Sequence, residues 1–311
     1  MKFNKKSKIF LAGHQGMVGS SILSYLKKKN YKNIFVKKRH QLNLLDQHET
    51  KKYLKKIKPE FVIIAAAKVG GILANQKYKG EFIYNNLMIQ TNLINASYEV
   101  GVKKLIFLGS SCIYPKYSKQ PIKEKYLLSG KLEQTNDAYA IAKIAGVKMC
   151  ESYNEQYNLN YLCLMPTNLF GINDNYNLKT SHFFPALLKK IYYAKKRNKK
   201  QIEIWGNGKA KRELMYVDDL ASACEFFLKK KTKHSLINIG SGQEKSIKDY
   251  AKFIMRKLKV NLKINYNETK PNGTPRKILD TSIAKKYGWK SKISLNEGFK
   301  LTFNDFIKKI G

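Results

Sequence analysis

Tyr139 and Lys143, a tyrosine and a lysine four residues apart, could together transfer a proton to a carbonyl group. Side chains spaced i and i+4 share one face of a helix, so the two meet if this segment is helical. A neighbouring ammonium favours tyrosinate, and we therefore expect Lys143 to lower the pKa of the Tyr139 phenol. A phenol of that kind can donate a proton to a carbonyl oxygen while hydride reaches the carbon. In a chain with 20 tyrosines the spacing also occurs by chance, so the pair needs support from other segments.

Ser110 supplies that support. It follows the apolar run 104–108, which is typical of a buried strand. Open α/β sheets bind their ligands at the carboxyl ends of such strands, so the Ser110 hydroxyl could hydrogen-bond to the same carbonyl oxygen. A serine, a tyrosine and a lysine beside a nucleotide-binding turn would form a site for hydride transfer.

Three glycines between a predicted strand and a predicted helix indicate that nucleotide-binding turn. Gly13, Gly16 and Gly19 are spaced G-x-x-G-x-x-G between the segments 9–12 and 17–28. Glycines permit a tight turn and a close approach of the backbone to pyrophosphate, which the helix N-terminus also favours. A purely structural turn is the alternative reading of the same motif. The other residues of this predicted dinucleotide site are His14, Gln15, Met17 and Val18.

Basic residues after the second predicted strand favour NADP over NAD. Lys37, Lys38 and Arg39 stand where an NAD site would have an acidic residue for the ribose 2′-hydroxyl. A cationic cluster at this point suits a 2′-phosphate. The alternative is that these residues are ordinary surface cations, but the chain has only five arginines, and Arg39 is one of them.

The elements that must position these residues alternate along the first half of the chain. Apolar runs predict strands, and longer amphipathic segments predict helices. The predicted strands are 9–12, 34–37, 61–65, 104–108 and 161–165, and the predicted helices are 17–28, 47–57, 81–100 and 138–157. Continuous apolar strands separated by helices predict an α/β fold, a Rossmann-type doubly wound parallel sheet covered on both faces.

The second half of the chain has a looser pattern, which predicts a smaller α+β substrate domain. Its predicted elements are a polar loop 168–182, a helix 184–196, a strand 202–205, a loop 206–212, a helix 217–228, a strand 236–239, and two or three helices around a loop 270–277. The strand 236–239 is expected to return to the main sheet. The predicted nucleotide-binding domain is therefore 1–168 with a return segment 214–242, and the predicted substrate domain is 169–213 with 243–311.

The composition limits the class of protein. The chain of 311 residues is 43% hydrophobic, which excludes a fully disordered protein, and its formal net charge is +38. Such a charge attracts polyanions, but nearly all of it comes from lysines spread along the chain, whereas readers of base edges use arginine. We therefore predict no nucleic-acid partner and interpret the charge as solvated surface, with an anion-binding surface as the alternative.

Cysteine usage and hydropathy indicate a cytoplasmic protein. The four cysteines are scattered and form no C-x-x-C pair, which is typical of a reducing compartment. No histidine cluster has metal-ligand spacing, so we predict no metal site. No apolar run is long enough for a signal peptide or a membrane span, and we predict no membrane association.

Motifs in both halves of the chain resemble the GDP-L-fucose synthase family of extended short-chain dehydrogenases. The motifs are AAAKVGGI at 65–72, GSSCIYP at 109–115, YAIAKIAG at 139–146, MPTNL at 165–169 and GTPRK at 273–277. The resemblance covers residues 8–310. The related 4,6-dehydratases carry Thr-Asp-Glu where this chain has Ser-Ser-Cys. The resemblance implies an enzyme that uses NADPH to convert GDP-4-keto-6-deoxy-D-mannose to GDP-L-fucose by 3,5-epimerisation and 4-keto reduction.

The resemblance also implies roles for single residues. Cys112 and His182 would act as base and acid in the epimerisation. Tyr139 would protonate the C4 oxygen, Lys143 would bind the nicotinamide ribose, and Ser110 would hold the carbonyl. The implied cofactor contacts further include Leu108, Gly109, Ser111, Pro166, Thr167, Asn168, Leu169 and His182. The helices 81–100 and 138–157 would pair in a homodimer.

Lys190, Trp205, Arg212 and Asn272 are the implied contacts to the GDP end of the substrate. Three positions depart from the family pattern. Lys190 replaces an arginine, so the bidentate hydrogen bonding of a guanidinium is lost. Asn272 replaces an aspartate and carries no charge. Gln15 replaces an arginine near the 2′-phosphate. The base preference and the strength of the NADP preference are thereby left open.

Two other functions remain open at this point. One is a related reductase or epimerase that acts on another sugar nucleotide. The other is a nucleotide- or RNA-binding Rossmann protein without catalysis, which the net charge suggests but the Ser/Tyr/Lys set disfavours.

Overall fold

The computed structural model describes residues 3–270 and 273–310, in which twelve strands and ten helices are found. The strands are β1 Ile9–Ala12, β2 Ile34–Phe35, β3 Phe61–Ile64, β4 Lys104–Leu108, β5 Tyr161–Pro166, β6 Asn168–Phe170, β7 Gln201–Trp205, β8 Lys211–Tyr216, β9 Leu236–Ile239, β10 Glu244–Ser246, β11 Lys263–Asn267 and β12 Arg276–Lys277. The helices are α1 Met17–Lys28, α2 Gln47–Ile57, α3 Ile72–Lys77, α4 Lys79–Glu99, α5 Asp137–Tyr157, α6 Phe183–Lys196, α7 Val217–Lys229, α8 Ile247–Lys257, α9 Ser282–Lys286 and α10 Leu295–Ile310.

A six-stranded parallel sheet forms the centre of the molecule, with the strand order β2-β1-β3-β4-β5-β9. The predicted doubly wound α/β fold is confirmed, and β9 pairs with β5 as expected. The chain runs outward in one direction from β1 to β2 and in the other direction from β3 onward. Ligands of such sheets bind at the carboxyl ends of the strands, near the point where the direction changes.

The strands are apolar throughout because each of their faces packs against helices. Ile9 and Leu11 of β1 face a core that includes α1 and α7, whereas Phe10 and Ala12 face a core that includes α2, α4 and α5. Successive side chains of a strand point to opposite faces, so a strand between two helical layers needs apolar residues at every position. In the part of the chain that the structure describes, no helix has the length and apolar character needed to cross a bilayer.

A second, smaller set of strands lies beyond the main sheet. β8 pairs with β10, β12 and β6, and β7 pairs with β11. A third core joins α6, α8 and α10 to these strands. The limits of the two domains stay a prediction.

Several short strands of this second half were not predicted, and three predicted boundaries along the chain were wrong. The loop predicted over 168–182 begins with β6, the loop predicted over 206–212 runs into β8, and the strand predicted over 34–37 ends at Phe35. β11 has no fully buried residue, and β12 has two residues, so neither carries the apolar run that identifies a strand. Three helices after residue 246 agree with the prediction.

Close packing of α4 against α5 fixes the helix that carries Tyr139 and Lys143. Gly146 of α5 allows this approach, because a Cβ atom there would lie 2.6 Å from Phe107 Cζ and 2.9 Å from Gln90 Cδ. The Gln90 side chain also donates a hydrogen bond to the carbonyl of Ala142. The position of α5 therefore depends on the absence of a side chain at 146.

We expect Gly146→Ala to lower the free energy of unfolding by about 1–3 kcal/mol, the usual cost of overpacking. The loss should appear although alanine is favoured over glycine inside a helix by about 1 kcal/mol. Gly80→Ala is the matched control, because Gly80 is exposed in α4 and a Cβ there would meet nothing within 4 Å. Urea unfolding of both variants measures the difference, and equal stabilities would contradict the role of this contact.

Candidate active site

The glycine turn has the shape that a dinucleotide needs. A Cβ at Gly13 would lie 2.5 Å from Ala66 N, and a Cβ at Gly19 would lie 2.0 Å from Gly13 O, so the turn and the first helix can pack only without side chains. Gly16 caps α1 without a side-chain hydrogen bond, which leaves N–H groups of the first turn available to a phosphate. Gln15 and Gly16 are exposed, and Met17 and Val18 begin the helix. The turn therefore fits a pyrophosphate.

Basic side chains flank this turn. Burial and then the nearby Lys38 lower the pKa of His14, and the buried Nδ1 of His14 has no hydrogen-bond partner among the described residues. Arg39 is exposed and forms no ion pair within residues 3–270 and 273–310. Lys38 and Arg39 both follow β2, the strand next to β1, as the sequence predicts. They fit a phosphate group at this edge of the turn.

The segments after β4 and β5 lie side by side at the carboxyl end of the sheet. The Gly109 N–H donates to Leu164 O at 3.0 Å, which holds the segment of Leu108, Gly109, Ser110 and Ser111 against β5. Pro166 ends β5 and is followed by Thr167 and by Asn168 and Leu169 of β6. The side chains of Thr167 and Asn168 donate to Glu213 O at 3.3 and 3.0 Å. These predicted cofactor contacts therefore meet at one place.

Ser110, Tyr139 and Lys143 are brought together as predicted. A hydrogen bond links the side chains of Ser110 and Tyr139, and the Lys143 ammonium lies 5.9 Å from the centre of the Tyr139 ring. Lys143 Nζ also donates to Leu108 O at 2.9 Å, which ties α5 to the end of β4. The Ser110 hydroxyl accepts from the Cys112 N–H at 3.3 Å, and this bond begins the short 3₁₀ turn Ser111–Ile113.

The pKa of Tyr139 moves in the direction opposite to our expectation. Burial raises the pKa of the phenol, the nearby Cys112 adds to the rise, and the hydrogen bond with Ser110 opposes it. Burial also lowers the pKa of Lys143 to about 7, so the ammonium itself is disfavoured. Sequence spacing shows that the two groups meet but does not show that they are buried, and desolvation outweighs their attraction. A phenol with a raised pKa stays protonated at neutral pH and can serve as a proton donor.

Cys112 lies beside these groups with two donors on its sulfur. The Asn136 side-chain amide donates to Cys112 Sγ at 3.3 Å, and the Lys277 ammonium donates to it at 3.5 Å. Cys112 is only partly buried, whereas Cys150, Cys163 and Cys224 are fully buried and pack in the cores. Cys112 is therefore the cysteine whose surroundings suit proton chemistry.

His182 and Arg212 approach the same centre from the second half of the chain. His182 immediately precedes α6, and burial together with the positive charge of Lys277 lowers its pKa. Its side chain reaches water, although the protein around it is close enough to disfavour the imidazolium. Burial lowers the pKa of Arg212, and the nearby Cys112 and Glu133 raise it. Lys277 therefore lies near both His182 and Cys112.

The residues predicted to hold the GDP end form a separate group. Lys190 Nζ lies 5.7 Å from the centre of the Trp205 ring and donates to Glu203 O at 3.0 Å. Lys270 Nζ lies 6.0 Å from the same ring. Trp205 is half-buried, so one of its faces is available to a planar group. Asn272 lies outside the described residues.

Three residues of the site were missed in the sequence. Asn136 precedes α5 by one residue, and its position as helix cap is a signal that could have found it. Lys277 belongs to the GTPRK motif, but nothing in that motif shows which atom it faces. Glu213 is fully buried and accepts from the N–H groups of Gly242 and Leu279 at 2.7 and 2.9 Å. It joins β8 to two loops around the site.

Known proteins of similar sequence match this chain over nearly its full length. Residues 9–240 match the NAD dependent epimerase/dehydratase family. The chain is 45% identical over 307 residues to GDP-L-fucose synthase 1 of Arabidopsis thaliana, which covers 99% of this chain and 95% of the relative. It is 43% identical over 312 residues to the GDP-L-fucose synthase of Escherichia coli strain K12, which covers 97% of each chain.

Solved structures show the same fold over the full length. MlghC, a GDP-mannoheptose C4 reductase from Campylobacter jejuni with NADP bound, has a TM-score of 0.89 and 36% identity, covering 98% of this chain and 99% of that chain. A GDP-L-fucose synthetase from Naegleria fowleri bound to NADP has a TM-score of 0.90 and 26% identity, covering 99% and 95%. Together with the match over residues 9–240, these relatives show that the chain belongs to the NAD dependent epimerase/dehydratase family.

Proposed function

We propose that this enzyme uses NADPH to convert GDP-4-keto-6-deoxy-D-mannose to GDP-L-fucose, first by epimerisation at C3 and C5 and then by reduction at C4. The observation that carries the proposal is a thiol, Cys112, placed beside the Ser110–Tyr139 pair. A reductase needs the pair alone, whereas an epimerase also needs a base. Full-length relatives named GDP-L-fucose synthase support the same substrate.

The residues around the glycine turn fit NADP. The turn 13–19 would hold the pyrophosphate, Arg39 and Lys38 would hold the 2′-phosphate, and the segments 108–111 and 166–169 would line the nicotinamide. Bound NADPH would supply the hydride for the reduction. Two solved relatives contain NADP, which supports the choice of cofactor.

The first step follows from the acidity of the substrate. A C4 ketone acidifies the protons on C3 and C5, because the electron pair of the broken C–H bond moves onto the C4 oxygen. Cys112 as thiolate would take the proton, and His182 would return one to the opposite face of the carbon. The hydroxyl groups of Ser110 and Tyr139 would donate hydrogen bonds to the oxygen while it carries negative charge.

The second step uses the same oxygen. The Tyr139 phenol would give its proton to the C4 oxygen during reduction, and its raised pKa keeps that proton available. Lys143 would hold the ribose hydroxyls beside it. Lys190, Trp205 and Arg212 would hold the nucleotide end of the substrate, with the indole as a flat surface and the cations near phosphate.

A related GDP-sugar is the second candidate substrate. The chain is 39% identical to a GDP-L-colitose synthase of Yersinia pseudotuberculosis, and a solved structure with a TM-score of 0.92 and 33% identity is a GDP-6-OMe-4-keto-L-xylo-heptose reductase. The lysine at 190 leaves the contact to the nucleotide less specific than an arginine would.

The assembly and the location of the enzyme stay predictions. The helices α4 and α5 expose Tyr84 and Ile141, whose relative exposures of 58% and 48% suit a two-fold contact between copies. We accordingly propose a homodimer in the cytoplasm.

The proposed reaction predicts where solvent deuterium enters the product. With GDP-4-keto-6-deoxy-D-mannose and NADPH in D₂O, we expect loss of absorbance at 340 nm and deuterium at C3 and C5 of GDP-L-fucose by NMR. In Cys112→Ser, we expect deuterium incorporation to fall at least about a hundredfold, the usual contribution of a general base. The melting temperature should stay close to that of the parent.

Two results would decide against the proposal. A product reduced at C4 without deuterium at C3 and C5 would indicate a plain reductase. No reaction with this ketone, together with turnover of a GDP-heptose, would indicate the second candidate. Unchanged incorporation in Cys112→Ser would assign the base to another group.

Arg39 should decide the preference between NADPH and NADH. We expect Arg39→Ala to raise the KM for NADPH about tenfold, because a hydrogen bond to a charged group contributes about 1.5–3 kcal/mol. The KM for NADH should not change. Arg197→Ala removes an exposed arginine at the end of α6 and is the control. Parallel increases in KM for both cofactors would show that Arg39 does not contact the 2′-phosphate.

We expect Lys143 to lower the stability of the folded protein, although the proposed function requires this residue. Its pKa is lowered from 10.5 to about 7 in the folded protein, so the unfolded chain binds the additional proton between these pH values. The cost of burial is therefore greatest below pH 7 and disappears as the pH rises toward 10.5. We expect Lys143→Met to be more stable at pH 7 by about 4 kcal/mol, since the pKa is lowered from 10.5 to about 7 and one pKa unit corresponds to about 1.4 kcal/mol.

The extra stability of Lys143→Met over the parent should become smaller as the pH approaches 10. The variant should no longer catalyse the reduction at C4. Lys148→Met is the control, because Lys148 lies on the same helix but is exposed and paired with Glu151. Urea unfolding at several pH values measures the difference. A Lys143→Met variant that is less stable than the parent at pH 7 would mean that the ammonium supports the fold.

A further inference from the structure

Lys277 places an ammonium against the one thiol of the site. Its Nζ lies 3.5 Å from Cys112 Sγ, although 165 positions separate the two residues in the chain. Its positive charge also lowers the pKa of His182. One cation thus lies near both groups to which the proposed function gives the proton transfers at C3 and C5.

The backbone around Lys277 is held on both sides. β12 pairs in parallel with β8, and Lys277 is in register with Arg212. The two residues that follow are fixed as well, since Ile278 N–H donates to the Gln120 side chain at 3.0 Å and Leu279 N–H donates to the buried Glu213 carboxylate at 2.9 Å. The ammonium therefore approaches Cys112 from a rigid position.

We propose that Lys277 is a positioning residue that holds Cys112 as the thiolate. The proposal rests on the proposed function for the identity of the reaction, but the thiolate itself can be measured without any substrate.

The charged groups around Cys112 come from several elements. Lys277 of β12 and Arg212 of β8 are cationic, and Tyr139 of α5 is a neutral phenol. Glu133 is buried and acidic, but it pairs with Lys116 at 3.0 Å. The Arg212 guanidinium donates to its neighbour Lys211 O at 2.8 Å. Among the residues that the structure describes, Lys277 is the cation in contact with the sulfur.

A cation in contact with a sulfur atom stabilises the negative charge of the thiolate. The thiolate takes a proton from carbon and becomes a thiol, and the electron pair of the broken bond moves onto the C4 oxygen of the ketone. The thiol returns its proton to solvent before the next cycle. On His182, the same cation disfavours the imidazolium, which makes the protonated imidazole a stronger donor.

Alkylation of Cys112 by iodoacetamide tests the proposal, because only the thiolate reacts. The rate is followed from pH 5 to 10 by mass spectrometry of the peptide that contains residue 112. We expect Lys277→Met to move the half-maximal rate upward by about one pH unit or more, which slows alkylation near neutral pH about tenfold. Lys277→Gln, which keeps an N–H donor without the charge, should show most of the shift. Lys277→Arg should restore the parental profile.

Two controls separate this effect from a general one. Lys252→Met removes one charge from an exposed position of α8 and should leave the profile unchanged. The buried Cys150, Cys163 and Cys224 should stay unmodified in every variant, which shows that the fold is intact. NADPH binding provides a second check of folding.

A parental alkylation profile in both Lys277→Met and Lys277→Gln would overturn the proposal. A higher KM for the ketone with an unchanged profile would do the same, because it would make Lys277 a substrate contact only. Failure of the proposed function is a different result. In that case, Cys112→Ser keeps the deuterium exchange while the shift in alkylation is still observed.

Discussion

The hydrogen bond from the Lys143 ammonium to the carbonyl of Leu108 is the interaction on which the site depends. It joins the helix that carries Tyr139 to the strand that leads to Ser110 and Cys112, so the phenol, the serine and the thiol have one fixed arrangement. The bond places the Lys143 amine in the interior, where desolvation lowers its pKa to about 7 and disfavours the ammonium. Gly146 makes the arrangement possible, because the helix can approach β4 and α4 closely only where it has no side chain. A buried lysine that lowers stability is thus retained where it orders the reacting groups.

The buried carboxylate of Glu213 has a similar role in the second set of strands. It has no cationic partner among the described residues and is instead satisfied by backbone N–H groups of two loops. Burial raises its pKa, and these hydrogen bonds oppose the rise. One of the loops leads directly from Lys277. The main sheet therefore places the phenol and the thiol, whereas a carboxylate in the second set of strands places the cation that meets the thiol.

Much of this could be predicted from the sequence, and the limits have physical causes. The strands β1, β3, β4 and β5 are buried on both faces and appear as apolar runs, so the first half of the fold and the ends of its strands were predicted. Ser110, Tyr139 and Lys143 follow from those ends and from helical spacing. The contact of Lys277 with Cys112 could not be predicted, because it depends on β12, a strand of two residues without an apolar pattern. The direction of the Tyr139 pKa was predicted wrongly, because spacing along a helix contains no information on burial.

The positions of individual cations matter more for this chemistry than the net charge of +38. A diffuse positive field brings an anionic ligand to the surface faster, and salt screens its effect beyond about 10 Å. Such a diffuse field does not determine which of two neighbouring groups loses a proton. Lys143 donates a hydrogen bond to a carbonyl, Lys190 lies beside an indole and Lys277 contacts a sulfur. These three lysines thus contact three different groups, because their positions on α5, α6 and β12 place each one beside a separate partner. The same residue type therefore serves as a solvated surface charge over most of the molecule and as a specific electrostatic contact in the site.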